Sequence, residues 1–435
     1  MLTPTVKTAL VGLSNKEAGI IGRSLNKPLR SKTTAAIGVN QWMLQSPAMK
    51  EMALSFPFFI PMVEEISKQK VVDAWWGLNY KLYVGAFFSI LNSFTDIFAI
   101  IDLFVNGYAT YAWRNIYFLA LSMFIQWIGV CVRNRKRGLK VIAWEALLII
   151  TMTKQVRDIK QVASGNIHVD DTLWDPQLDL TTGKVVEMFS QSIPSAITLC
   201  IAILEADEIP YTAVISIMVS CLVIAYTSTI TSFDFDTDPI KRIHAPDFYG
   251  YIPDLNRMKI MIIMVAYTSS YVLMKVLACA LLLNISPTWI LAYIVIDMSV
   301  YISYKIVRCD FRYWVRVNDV VGLAVSFIPR IIIKMVTDFT MLIQFRHQMD
   351  IGGAYWTFNM VMHQLFCFAS VYIYQEFAED VDEDRITALW GLVIGLFVVT
   401  NINFVWFLSL INSRIFQSEG KGNVDASCVL FRSSN

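Results

Sequence analysis

Ionisable side chains stand inside apolar stretches of this chain: Asp96 and Asp102 in one, Lys275 in another, Asp297 in the next, and Arg330, Lys334 and Asp338 together in a later one. A charge at the centre of a bilayer costs about 3 kcal/mol or more, so such groups must face a protein interior, a water-filled groove or one another. Arg330, Lys334 and Asp338 are spaced by four, which stacks them along one stripe of a helix. A cationic stripe at that depth suits a phosphate, a carboxylate or another anionic headgroup in transit. The same residues also allow a structural reading, with Lys334 and Asp338 paired within the helix and Arg330 satisfying Asp96, Asp102 or Asp297. Buried ion pairs stabilise less than apolar packing does, which gives the transit reading its weight.

Two prolines add a mechanical element. Pro194, in Ser190-Gln191-Ser192-Ile193-Pro194, and Pro329, in Ser326-Phe327-Ile328-Pro329, fall in the middle of apolar stretches. Each removes a backbone donor and frees the carbonyl four residues earlier, at Ser190 and Val325, where lipid has no donor to offer. Polar partners are therefore expected beside each kink, with Gln191 and Ser192 the local candidates. A Val-Val pair lies nine residues upstream of both prolines, at Val185-Val186 and Val320-Val321, and hints at an internal repeat.

The elements that position these groups follow from hydropathy. With 56% hydrophobic residues and 13% aromatic residues and a mean hydropathy of +0.51, the chain is too apolar for a soluble protein of its length. Candidate spans cover about 81–105, 116–132, 185–204, 209–231, 258–283, 286–306, 320–343, 354–375 and 386–411. Each approaches the roughly 20 residues that cross a bilayer as a helix. The expected fold is all-α: a polytopic transmembrane helical bundle with about 8–10 membrane-inserted helices, one or two of them re-entrant or kinked. Around it lie a basic amino-terminal cytoplasmic arm at 1–74, a membrane domain at 75–411 and a polar tail at 412–435. The first fifty residues hold seven Lys/Arg and one acid, Glu17, which reads as an arm near anionic lipid, with an organellar targeting sequence as the alternative.

The loop Arg133 to Lys140 holds five basic residues, whereas Glu205-Ala206-Asp207-Glu208 is acidic, so the positive-inside rule places the former in the cytosol. The basic loops at 232–257 and 307–319 then fall on the same side. Val141 to Thr153 is too short to cross and carries Glu145, so it reads as re-entrant or interfacial. Segment 185–204 is expected to enter the bilayer without crossing as a straight helix, because Pro194 sits beside Gln191 and two serines. Eight of the nine segments would then cross and leave both chain ends in the cytosol.

Other motifs carry little. Asp234-Phe235-Asp236-Thr237-Asp238 begins like a calcium loop but has Pro239 where the turn needs Gly and Ala245 where a Glu ligand belongs. The acidic run Glu376 to Asp384 reads as a solvated loop. His168, His244, His347 and His363 share no ligand spacing, and the seven cysteines form no CxxC pair, leaving Cys309 as a juxtamembrane acylation candidate. No Walker, Rossmann or His-Glu-x-x-His motif occurs. The expectation is no enzymatic activity, no catalytic residue, no metal site and no cofactor. A net charge of +1 argues against nucleic acid as a partner.

Read from Thr95-Asp96-Ile97-Phe98 through Asn106-Gly107-Tyr108 to Trp113 and Phe124-Ile125-Gln126-Trp127, the first two spans resemble the opening of the XK-related family of membrane proteins. In that family a Thr-Asp pair in the first helix is followed by a Gly and a Trp in the connecting turn. Gln191-Ser192-Ile193-Pro194-Ser195 is similar to the family's Glu-Ser-x-Pro-Gln signature, with Gln191 in place of Glu and Ser195 in place of Gln. Ser216 to Tyr226 is similar to its Ser-rich helix. The resemblance covers roughly residues 85–245. It implies an all-helical membrane fold with partly inserted helices and, in some members, energy-independent phospholipid scrambling.

Three functions fit these residues. ATP-independent phospholipid scrambling or lipid transport is favoured, along a path of Asp96, Asp102, Lys275, Asp297, Arg330, Lys334 and Asp338. An ion- or proton-coupled transporter or channel using Asp96, Asp102, Asp297 and Lys275 is second, and a non-catalytic membrane scaffold third. The expected partners are membrane lipids, with a membrane-protein subunit or a second copy as a further candidate. The expected location is multi-pass in the plasma membrane, with an organellar membrane as the alternative.

Overall fold

The structure is a computed structural model and describes residues 20–22, 24–25, 29, 35–45, 47–72, 78–163, 176–206, 209–237, 257–307, 334, 339–340, 354–378 and 382–418. Helices and the turns between them account for these residues, with no strand among them. That outcome follows from the solvent: in hydrocarbon every backbone N–H and C=O must be satisfied within the chain, and a helix does so locally.

In chain order the helices are α1 (Ala35–Gln45), α2 (Pro47–Ser55), α3 (Phe59–Val72), α4 (Leu78–Val105), α5 (Ala109–Arg133), α6 (Leu139–Ile150), α7 (Lys154–Ala163) and α8 (Pro176–Glu187). A π turn, Met188–Ser192, leads into α9 (Ile193–Glu205). Then come α10 (Tyr211–Thr237), α11 (Arg257–Ile285), α12 (Pro287–Val307), α13 (Ala354–Phe377) and α14 (Glu383–Ser418). Seven helical segments among the described residues are long and apolar enough to cross a membrane: Tyr80–Val105, Ala109–Arg133, Thr182–Glu205, Tyr211–Ile230, Met258–Ile285, Pro287–Tyr304 and Glu383–Leu410. The protein is an all-α, multi-pass membrane protein. Helix α13, whose apolar sequence is broken by Asn359, His363 and Gln364, is not among the seven. Most of the expected span at 320–343 lies outside the described residues.

Local chemistry sets the helix ends. Helix α4 stops at Gly107, whose φ of +84° is a left-handed conformation that favours glycine. There the Tyr108 N–H bonds back to the Leu103 carbonyl at 2.8 Å and the Gly107 N–H to that of Phe104 at 3.3 Å, closing a Schellman turn. Ser286 precedes Pro287 at the start of α12 and accepts from the Thr288 N–H at 3.3 Å. Helix α14 opens on Glu383 and Asp384, acids at the positive end of the helix dipole.

The chain divides into two compact units. One comprises Met1–Phe88, Trp127–Gly183 and Phe233–Gly250, the other Ser89–Gln126, Lys184–Ser232 and Tyr251–Asn435. Helix α14 runs on to Ser418. In the first unit the expected basic arm includes three helices, with Val39, Trp42, Met43, Met49, Phe59 and Val63 packed together. A second cluster joins Leu29, Ala35, Leu82, Ala86, Ile159 and Leu180. In the second unit α11 is central and packs on α9, α12, α13 and α14. Tyr267 and Tyr271 of α11 are wholly buried and stacked, and Ser270 meets Thr400 of α14 at 2.9 Å.

Candidate functional site: an intramembrane polar ladder

Asn92, Asp96 and Asp102 lie along α4, while Thr212, Ser216 and Ser220 repeat every fourth residue along α10. Fourfold spacing places Asn92 with Asp96, and Thr212 with Ser216 and Ser220, on one helix face each; Asp102, six residues past Asp96, is turned about 120° from it, and the pairs meet rung by rung in antiparallel order. Thr212 donates its hydroxyl to Asp102. Ser216 donates to Asp96 Oδ1 at 2.7 Å, and Ser220 to Asn92 Oδ1 at 2.9 Å. From Asn92 to Asp102 the helix rises about 15 Å, roughly half the thickness of a hydrocarbon core. The side of α4 away from Asn92 and Asp96 carries Phe94, Phe98 and Ile101, all exposed. Polar inside and apolar outside is the arrangement that lipid as solvent requires.

The π turn completes the middle rung. Across it the Ile193 N–H bonds back to the Met188 carbonyl, five residues earlier, and Pro194 follows as an early residue of α9. The helical path continues from α8 through α9 without the break that proline imposes in a regular helix interior. Gln191 Nε2 donates to Asp96 Oδ2 at 3.0 Å, and Ser192 Oγ is 3.5 Å from Asn92 Nδ2. Asn92 Nδ2 also reaches Asp96 Oδ2 at 3.4 Å. Asp96, only 5% exposed, therefore accepts from three donors, all neutral. One turn onward Ser195 donates to Asn115 Oδ1 of α5 at 2.7 Å. The polar neighbours expected beside Pro194 are in place. The segment expected not to cross straight is a continuous helical path with a π turn, long enough to span.

Lys275, Asp297 and Lys334 belong to other elements of the same unit. Lys334 is fully buried and forms an ion pair with Asp297 of α12, and its Nζ lies 5.4 Å from the centre of the Tyr301 ring. Lys275 of α11 lies over Phe339 at 5.1 Å. His363 of α13 bonds Tyr293 of α12 through Nδ1, a packing role matching its reading from sequence. Arg330, Asp338 and Pro329 lie outside the described residues. So do Cys309, His168, His244 and His347. Among the described residues no group of His, Cys, Asp and Glu has the make-up of a metal site.

Sequence reasoning missed Asn92, Thr212, Ser216 and Ser220 as functional positions. Their signal was the fourfold spacing of small polar residues within apolar spans, which a search for charges passes over. It also missed a charge cluster in the first unit. There Arg133, at the end of α5, meets Asp179 of α8 at 2.5 Å. Lys154 of α7 meets Asp158 at 2.5 Å and Asp179 at 2.7 Å. Burial disfavours the Lys154 ammonium, but the Asp158 and Asp179 carboxylates outweigh it and hold its pKa above the ordinary lysine value. Beside them Arg157 meets the buried Glu145 of α6 at 2.7 Å.

Comparison with models of known protein families finds no match, and comparison with curated proteins finds no relative.

Proposed function

We propose that this protein equilibrates phospholipid between the leaflets of a bilayer without ATP, its ladder of polar side chains taking the place of water around the headgroup. The ladder on α4 and α10 carries this reading. Six hydrogen-bonding side chains from two spans, joined by Gln191 and Ser192, run through about 15 Å of what is otherwise hydrocarbon. Asn92 and Asp96 are covered, and Asp102 is partly open. Headgroup entry therefore starts from the Asp102 end and requires α4 and α10 to part. The resemblance of residues 85–245 to the XK-related family supports the same reading. A plasma membrane, with its anionic cytosolic leaflet, suits the basic loop after α5.

Ion- or proton-coupled transport is the second reading, favoured by Asp96, a buried carboxylate whose donors among the described residues are all neutral. One preparation separates the two. The purified chain is reconstituted into vesicles holding both a fluorescent phospholipid and an internal pH dye. Bleaching by an impermeant reductant that proceeds beyond the outer leaflet, with no ATP present, supports lipid transit. Bleaching confined to the outer leaflet together with dye-reported proton flux replaces it by the second reading.

A further inference from the structure

Helix α6 is inside out for a helix in water. Its one carboxylate, Glu145, points inward with Ile149, whereas Leu139, Trp144, Leu147 and Ile150 stand exposed, Leu139 at 83% and Ile150 at 67%. These four share one side of the helix, since their positions fall within about 140° of arc at 100° per residue. The orientation is pinned: Glu145 is held by Arg157, and the neighbouring α7 is fastened by Lys154 to Asp158 and Asp179. Turning the apolar face inward would break that pairing and strand Glu145.

Basic charge stands beside this face. Arg133 is consumed by Asp179, but Arg135, Lys136 and Lys140 are exposed and Arg137 half-exposed. Among the described residues no carboxylate pairs with any of the four. No side chain caps the start of α6 at Gly138, so the first-turn N–H groups add to the positive field. The loop follows directly on α5, a spanning helix, which holds it at the bilayer edge. At twelve residues α6 is too short to cross.

We infer that α6 lies in the headgroup and acyl boundary of an anionic leaflet, its apolar face in the lipid and Arg135, Lys136, Arg137 and Lys140 binding anionic phospholipid headgroups. This rests on the membrane assignment of the protein, not on lipid scrambling, so either can fail without the other.

The test uses the full chain in phosphatidylcholine vesicles that contain, at equal mole fraction, phosphatidylcholine or phosphatidylserine with brominated acyl chains. The Trp144 contribution to fluorescence quenching is the difference between the native chain and Trp144→Phe. Quenching of Trp144 by both lipids is expected, stronger from the serine lipid by about twofold or more, the excess vanishing as salt screens the headgroups. In a variant carrying Arg135→Gln, Lys136→Gln, Arg137→Gln and Lys140→Gln the serine excess should disappear while quenching by the choline lipid persists. Absence of Trp144-dependent quenching, equal quenching by the two lipids in the native chain, or a serine excess indifferent to salt overturns the inference. The salt series needs no variant, so it decides even if the fourfold substitution does not fold.

Discussion

Asp96 is met by Ser216, Gln191 and Asn92, three donors that bring no opposite charge. If its charge serves transit, Asp96→Asn keeps the shape of the rung but removes the charge. Thermal unfolding in detergent should then change by less than about 2 kcal/mol, while lipid or ion flux falls at least about tenfold, a loss of about 1.4 kcal/mol in the barrier. A large loss of folded protein with unchanged specific flux would assign Asp96 to packing instead. Lys154 has the opposite character. Its two carboxylate partners are buried with it; Asp179 keeps Arg133, but Lys154→Met leaves Asp158 uncompensated and should destabilise by about 3 kcal/mol. Because the Lys154 pKa is raised on folding, its stabilisation is complete below the ordinary value of 10.5 and declines as pH climbs through the higher folded value. Unfolding temperatures taken above pH 10.5 should therefore fall more steeply for the native chain than for Lys154→Met.

Gly107 tests the account of the elements. Its φ of +84° is available to glycine, and a Cβ there would meet no neighbour within 4 Å. The cost of Gly107→Ala is thus conformational alone, about 1–2 kcal/mol, readable as a lower unfolding temperature; a neutral result would mean that the α4 to α5 turn does not hold this form. The helices themselves were legible in the sequence, because long, predominantly apolar runs such as 209–231 and 258–283 leave helix as the satisfied state. Pro194 was legible as a place needing polar company but not as a π turn, since proline chemistry marks the missing donor without specifying how the next residues take up the slack. The ladder was half legible. Asp96 and Asp102 announced themselves by the cost of burying charge. Ser216 and Ser220 did not, because serine in an apolar helix bonds its own backbone cheaply and signals no partner. Lys334 shows the remaining limit: spacing along one stretch of sequence could not single out Asp297 of α12 as its partner.

At the scale of the whole molecule, hydrogen-bonding groups of α4, the π turn and α10 gather within one unit of a protein with seven segments long and apolar enough to span. Phe94 and Phe98 meet lipid while Asn92 and Asp96 meet protein. A scaffold needs no such ladder, since apolar packing of those faces is at least as stable. If headgroups travel along it, the ladder must be polar along its length, and blocking its middle should stop them. The direct measurement is bleaching of fluorescent phospholipid in vesicles holding the native chain or Ser216→Val with Ser220→Val, matched for folded protein by gel filtration and unfolding temperature. The account predicts that bleaching passes into the inner-leaflet lipid for the native chain and slows at least about tenfold in the variant, as expected when about 1.4 kcal/mol is added to the barrier. A variant that bleaches inner-leaflet lipid as fast as the native chain, or a native chain that leaves it untouched, contradicts the account.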